Sequence, residues 1–372
     1  MEQLPLKMTN GKNILINRDY FASEVEDLEF SLEKKKFLYN IDFSKNVMFS
    51  HEIKYNNIIE GSNDDIDMIK DVVEKKLPIK DPIQKNRIYN VYRAYRYILK
   101  HKDINKDRLK ELYDILSDGL LKEDERRDMG EYYRNRPGII LYKGRLDDSF
   151  EFTMDVKFVN EFMELLFEYI NLDNNLKNST EYFIKSQIIH FYFVYIHPYF
   201  DINGRTSRTL GMWYLLNNKC YPYITFNRAI NMEFPKYDDA IIEAKRYGNV
   251  TFFIKNMLIS VKKDLEKEFM IDEISKNINS KLSTIDYQTL NYILSMKGLN
   301  TLLDFSKMYN RENEKKKTID IYNEMIVPLL DKNVLEIVRY TNKNFANDEK
   351  NFVFKLNESN INREDVCIKY LK

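Results

Sequence analysis

Apolar residues along most of this chain recur at steps of three and four. Ile88, Tyr92, Tyr95, Ile98 and Leu99 follow that spacing, as do Phe158, Phe162, Leu165, Leu166 and Ile170. The spacing predicts a mainly α protein. Residues 188–196 are apolar nearly all round, which predicts a helix buried at the centre of a domain. Three stretches break the pattern. Arg136-Pro137-Gly138 leads into a short apolar run, Lys143-Gly144 and a second run around Phe150 and Phe152, which predicts a β-hairpin over 138–152. Residues 61–82 start polar and acidic and mark a boundary. Lys and Glu dominate near 265–285, and the last ninety or so residues then show three helical patterns followed by strands at 334–340 and 351–356 with a polar turn at 341–350.

The length of 372 residues calls for two or three domains. With 23 Phe and 27 Tyr the chain can bury a real core. Lys plus Arg equals Asp plus Glu at 58 each, so no global charge draws it to nucleic acid or membrane. Cys220 and Cys367 fit no metal spacing and read as thiols of a reducing cytoplasm. No signal peptide pattern opens the sequence and no apolar run is long enough to span a bilayer, so a cytoplasmic protein without a membrane partner is expected.

The chemistry concentrates in residues 197–208. Pro198 disfavours the α conformation at His197, so the buried helix should stop there and place an imidazole at its end. Helical spacing resumes after Thr206, which sets Asn203-Gly204 at a helix start, where free N–H groups favour an anion. Arg205 and Arg208, three apart, share one face and suit a polyphosphate. Asp201 is a hard oxygen ligand suited to nucleotide-bound Mg²⁺, and His197 is suited to proton abstraction. His197 and Asp201 as a helical i, i+4 metal pair is disfavoured, because Pro198 removes that geometry.

This stretch resembles the signature of the Fic family, His-x-Phe-x-Asp/Glu-Gly-Asn-Gly-Arg-x-x-Arg. Seven of its eight specified positions are met if Tyr199 stands for Phe. The resemblance implies a Fic-type helical core with a small β-hairpin flap, and a protein adenylyltransferase that moves AMP from ATP to protein hydroxyls. His197 would be the base and Asp201 would hold Mg²⁺. Asn203 and the loop N–H groups would hold the α-phosphate, Gly204 and Arg205 the β-phosphate, and Arg208 the γ-phosphate. Ile202 departs from the family's Gly: its N–H can still face a phosphate, but its Cβ excludes the easy positive-φ conformations of glycine. Gly204 favours AMP transfer over the family's phosphorylating branch, which often has Lys there. Tyr237 resembles a residue beside the adenine pocket, at the head of a helical stretch running over 238–254.

Upstream, residues 55–61 resemble the family's inhibitory helix, Ser/Thr-x-x-x-Glu-Gly/Asn, with Glu60 set against Arg208, Gly61 as the helix-ending glycine and Asn56 where Ser or Thr is usual. The organisation expected is an N-terminal region over 1–80 with the inhibitory helix at about 46–61, a catalytic core over 81–265, and a C-terminal winged-helix-like domain over 275–372. The protein itself is a conceivable acceptor, and a homodimer is open. Two rivals stand beside the enzyme: a DNA-binding regulator, and a nucleotide sensor that has lost its chemistry. Residues 318–330 hold Asp320 and Glu324 and no Lys or Arg, which argues against DNA as a partner, while Lys315, Lys316 and Lys317 argue for it.

Overall fold

Alternating burial opens the chain in the computed structural model. Leu4 and Leu6 in β1 (Glu2–Lys7) and Ile14 and Ile16 in β2 (Asn13–Ile16) are buried, and the two strands pair antiparallel. The turn between them carries Gly11 at φ 79. The structure describes residues 1–38, 46–62, 64–74, 81–127, 129–141, 150–172, 176–218, 220, 226–232, 234–278, 280–296, 300–313, 315–340, 352–357 and 359. These divide into two compact units, 1–62 with 66–262 and 63–65 with 263–372.

The first unit is helical around a small flap. After the hairpin come α1 (Ala22–Leu38), α2 (Asn46–Ile59), α3 (Ile66–Glu74, which is assigned to the first unit), α4 (Pro82–Lys100), α5 (Lys106–Ser117) and α6 (Glu123–Arg127). Side chains cap the starts of α4 and α5. Asp81 accepts from Ile83 N ahead of Pro82, and Asn105 accepts from Arg108 N. Gly61, at φ 82, ends α2 as the sequence anticipates, with its N–H donated to Ile58 O at 2.8 Å.

The predicted hairpin is present as β3 (Ile139–Leu141) and β4 (Phe150–Phe152), paired antiparallel with Ile140 opposite Glu151; its turn lies outside the described residues. Next come α7 (Val156–Asn171), α8 (Ser179–Ile196), α9 (Asn203–Asn217), α10 (Phe226–Met232), α11 (Phe234–Tyr247) and α12 (Thr251–Asn277). From Phe183 to Phe193 every residue of α8 is buried, so this is the central helix foreseen from its apolar run. The helical stretch expected over 238–254 is two helices instead. Gly248, at φ 63, closes α11, and Val250 N bonds Leu15 O of the N-terminal hairpin before α12 begins. Nor does α12 stop where Lys and Glu become frequent; it runs on to Asn277, its residues from 263 onward belonging to the second unit, where Met270, Ile271 and Ile274 join the core.

The second unit contains α13 (Thr284–Ser295), β5 (Asn300–Thr301), α14 (Leu302–Glu312), α15 (Thr318–Ile321), a π-helical turn at Tyr322–Ile326, α16 (Val327–Asp331), β6 (Leu335–Tyr340) and β7 (Phe352–Leu356). Ser283 and Asp286 form a capping box at the start of α13. Pro328 supplies no N–H, and the turn before it widens so that Val327 N bonds Tyr322 O. The three strands form an antiparallel sheet in the order β5-β7-β6. Phe305, Ile321, Ile326, Leu329 and Phe354 lie at the centre of this unit's core. Among the described residues, no helix is long and apolar enough to cross a membrane. Cys220 is buried and its thiol donates to Asn218 O at 3.2 Å, while Cys367 lies outside the described residues.

Candidate active site

Helix α8 ends at Ile196 and His197 turns into the left-handed region, φ 52 and ψ 60, directly before Pro198. One side chain holds this turn. Arg134 donates from Nε to His197 O at 2.9 Å, and its backbone N donates to Pro198 O at 2.9 Å. The same guanidinium bonds the carbonyls of Arg136 and Met154, which flank the flap, so the end of α8 and the base of the flap share one anchor. Burial, then the positive charges of Lys245 and Arg134, push the His197 pKa down to about 3, while the Val194 carbonyl pulls it up. The ring is therefore neutral near pH 7, with a lone pair available to accept a proton.

The loop that follows is held by its own residues. Asn203 accepts from Tyr199 N at 3.0 Å and donates from Nδ2 to Tyr199 O at 2.8 Å. Its carboxamide thus braces Tyr199 through the oxygen and one amide hydrogen, and its backbone N–H stands at the start of α9. Tyr199 is buried and stacks on Tyr113 with centroids 3.6 Å apart. Asp201 is exposed and folds back to accept from Ile202 N at 2.6 Å. Ile202 sits at φ 64 although it is β-branched and buried, a conformation that costs roughly 1–2 kcal/mol for such a residue. The loop thus takes the left-handed turn even without a glycine. Helix α9 begins at Asn203 with no side chain capping its N-terminus, which leaves N–H groups and a positive dipole end for an anion.

The two arginines fare differently. Arg205 is 8% exposed, and burial lowers its pKa. Among the described residues no hydrogen bond or ion pair reaches its side chain, and its Nε is a buried donor without a partner. The charges of Glu60 and Asp201 offset part of the cost of burying this guanidinium, and an anion bonded to it would offset more. Arg208, 2% exposed, is bound from α2. Its Nη2 donates to Glu60 Oε1 at 2.6 Å and to Asn56 Oδ1 at 2.7 Å, and its Nε donates to Asn56 Oδ1 at 3.0 Å. A Cβ on Gly204 would collide with Glu60 Oε1 and come within 3.1 Å of Arg208 Nη1, so the glycine leaves the room in which the carboxylate sits.

Behind Arg208 lies a polar layer that sequence reasoning does not assign. Asn56 Nδ2 donates to Tyr95 OH at 3.4 Å, Asn227 Nδ2 donates to Tyr95 OH at 3.0 Å, and Asn227 also donates to Glu52. Tyr237 is buried with its hydroxyl 2.8 Å from His190 Nε2, and it feels the charges of Arg208 and Glu60. Its hydroxyl is thus engaged inside the protein. The signal for His190 was its place on an all-apolar helix, where a polar ring needs a buried partner. Among the described residues no group of three or more His, Cys, Asp or Glu could hold a metal ion. Asp201, a lone carboxylate beside the anion loop, fits a Mg²⁺ held chiefly by phosphates.

Residues 103–215, from the start of α5 through the anion loop and α9, match the Fic/DOC family. Protein adenylyltransferase Fic of Nematostella vectensis is 24% identical over 265 residues, covering 65% of this chain and 56% of that protein, so the match spans little more than half of the relative's length. A Fic family protein from Desulfovibrio desulfuricans G20 superposes with a TM-score of 0.55 at 16% identity, covering 90% of this chain and 96% of that one. Fic-1 from C. elegans superposes with a TM-score of 0.51 at 15% identity, covering 68% and 74% respectively. Residues 103–215 thus match the Fic/DOC family, and the mostly helical fold is shared with Fic family structures.

Proposed function

We propose that the protein is an adenylyltransferase that moves AMP from ATP to a protein hydroxyl and that Glu60 inhibits it. The observation that carries the reading is Arg205, whose buried Nε has no hydrogen-bond partner among the described residues, placed on the uncapped start of α9 just beyond a neutral His197. A triphosphate supplies negative charge to Arg205, to the N–H groups of α9 and to Arg208. His197 takes the proton of the acceptor hydroxyl, the oxygen attacks the α-phosphorus, and the bond to the β-phosphate oxygen breaks to release pyrophosphate. Burial depresses the His197 pKa most, and phosphates would offset the smaller part that comes from Lys245 and Arg134, raising its basicity when substrate is present. Mg²⁺ held by Asp201 would neutralise charge on the phosphates. The named relative from Nematostella vectensis supports adenylyl transfer over kinase chemistry, as does Gly204.

For the second unit we propose the winged-helix-like arrangement expected from the sequence, supported by its order of helix, strand, two helical segments and two strands. Lys316 is ion-paired with Glu324, which reduces the basic character of the lysine run and favours a protein-facing role over DNA.

The decisive assay supplies Mg²⁺ and ATP labelled at either the α- or the γ-phosphate to the full chain, to Glu60→Gly and to His197→Ala. The expected result is protein labelling from the α-position only, strongest in Glu60→Gly and at least about a hundredfold lower in His197→Ala. ATP binding should persist in His197→Ala. Labelling from the γ-position would replace this reading with phosphorylation, and ATP binding without a product in any sample would favour a nucleotide sensor.

A further inference from the structure

Each flap strand is only three residues long, and an isolated two-stranded hairpin is marginal in water. The base of the flap is tied by Gly138 and Thr153, with Thr153 N donating to Gly138 O at 3.0 Å and Gly138 N to Thr153 Oγ1 at 2.9 Å. Farther out, Glu151 reaches away from the strand. Side chains alternate across a strand, and Phe152 is 69% exposed on one side. Glu151, on the other side, accepts from Lys245 Nζ of α11 at 3.1 Å.

The two partners of this pair are unequal. The Lys245 side chain is 6% exposed and that of Glu151 is 44% exposed. Burial pushes the Lys245 pKa down, while Glu151 and then Asp238 pull it up. An ammonium this buried is held charged by its carboxylate neighbours, so the strand that brings Glu151 matters to α11 as much as the reverse.

We propose that Lys245 is a positioning residue whose ion pair with Glu151 latches β4 to α11 and so holds the acceptor-binding edge of the flap in line with His197. The link to an acceptor rests on the adenylyl-transfer reading; the latch does not. An acceptor segment that joins the flap as an added strand takes its position from β3 and β4. A flap that swings loses transfer without losing ATP, because the arginines and the start of α9 lie on other elements.

The test uses the full chain carrying Glu60→Gly, with Lys245→Met, Lys245→Arg and Glu151→Gln added singly. Hydrogen exchange over 138–152 reports the latch, transfer of α-labelled phosphate reports positioning, and calorimetric ATP binding separates the two. Lys245→Met keeps the apolar stem but not the charge, and Glu151→Gln changes the more exposed partner, so one variant stays informative if the other misfolds. The expected result is exchange and transfer each altered by about fivefold or more in Lys245→Met and Glu151→Gln, with ATP affinity within about twofold and Lys245→Arg near the parent. Unchanged flap exchange in both variants overturns the latch. Faster exchange with unchanged transfer, or loss of ATP binding in Lys245→Met, overturns the positioning role. A parent without transfer whose flap exchange still rises in the variants would locate the failure in the adenylyl-transfer reading and not in the latch.

Discussion

Glu60 and Arg208, separated by 148 residues in sequence, meet at 2.6 Å at the mouth of the anion loop. The carboxylate stands over Gly204, where a phosphate held by α9 would have to lie, and it uses donors of the same guanidinium. On the proposed function, a phosphate would compete with this carboxylate for that place. In Glu60→Gly, ATP affinity and transfer should each rise about tenfold or more; titration calorimetry and the α-label assay read the two. Unchanged values in both would mean that the pair is structural.

Arg205 offers a contrast between stability and binding. Its Nε is a buried donor without a hydrogen-bond partner among the described residues, so Arg205→Met should leave the melting temperature level or raise it by a few degrees. ATP affinity in the Glu60→Gly background should nevertheless fall about a hundredfold. A large drop in melting temperature would show that the arginine serves the fold and not a ligand.

Ile202 sets strain against burial. Replacing it with glycine relieves roughly 1–2 kcal/mol of left-handed strain. It also removes a side chain that is 5% exposed, a loss of about 3–4 kcal/mol. Burial wins, and Ile202→Gly should unfold at lower urea concentration by about 1–3 kcal/mol. A more stable variant would mean that the strain is larger than the packing it accompanies.

Two histidines, the buried His190 and the half-buried His197, make the fold acid-sensitive. His190 and His197 both have pKa values lowered to about 3, chiefly by burial and next by the neighbouring cations. The folded state keeps both rings neutral, whereas the unfolded chain protonates them near pH 6.5. The stability they contribute is present above that pH and is lost as pH falls from about 6.5 toward 3, at about 2 kcal/mol per ring by pH 5. Urea unfolding at pH 7 and pH 5 should show this drop, and His190→Gln should show a drop smaller by about 2 kcal/mol. Equal drops in the two proteins would mean that His190 is protonated in the fold.

Much of the site was legible because its causes are local. Pro198 ends α8, the capless Asn203 starts α9, and Gly61 closes α2; each is a preference of one or two residues for particular backbone angles. Alternation and turn residues placed β3, β4, β6 and β7 in the same way. The N-terminal hairpin was missed although Asn10-Gly11 between Leu4, Leu6, Ile14 and Ile16 carries the same signal.

What the sequence determined by itself was where the chain turns and which chemistry gathers within twelve residues. Only the tertiary structure decided what that chemistry touches: Asn56 and Glu60 on Arg208, His190 against Tyr237, Lys245 against Glu151, and Arg205 Nε left without a hydrogen-bond partner among the described residues. Backbone preferences act over a few residues and repeat wherever the same residues occur. A contact between residues 47 to 152 positions apart depends on how buried faces pack, and no periodicity within a single helix encodes it.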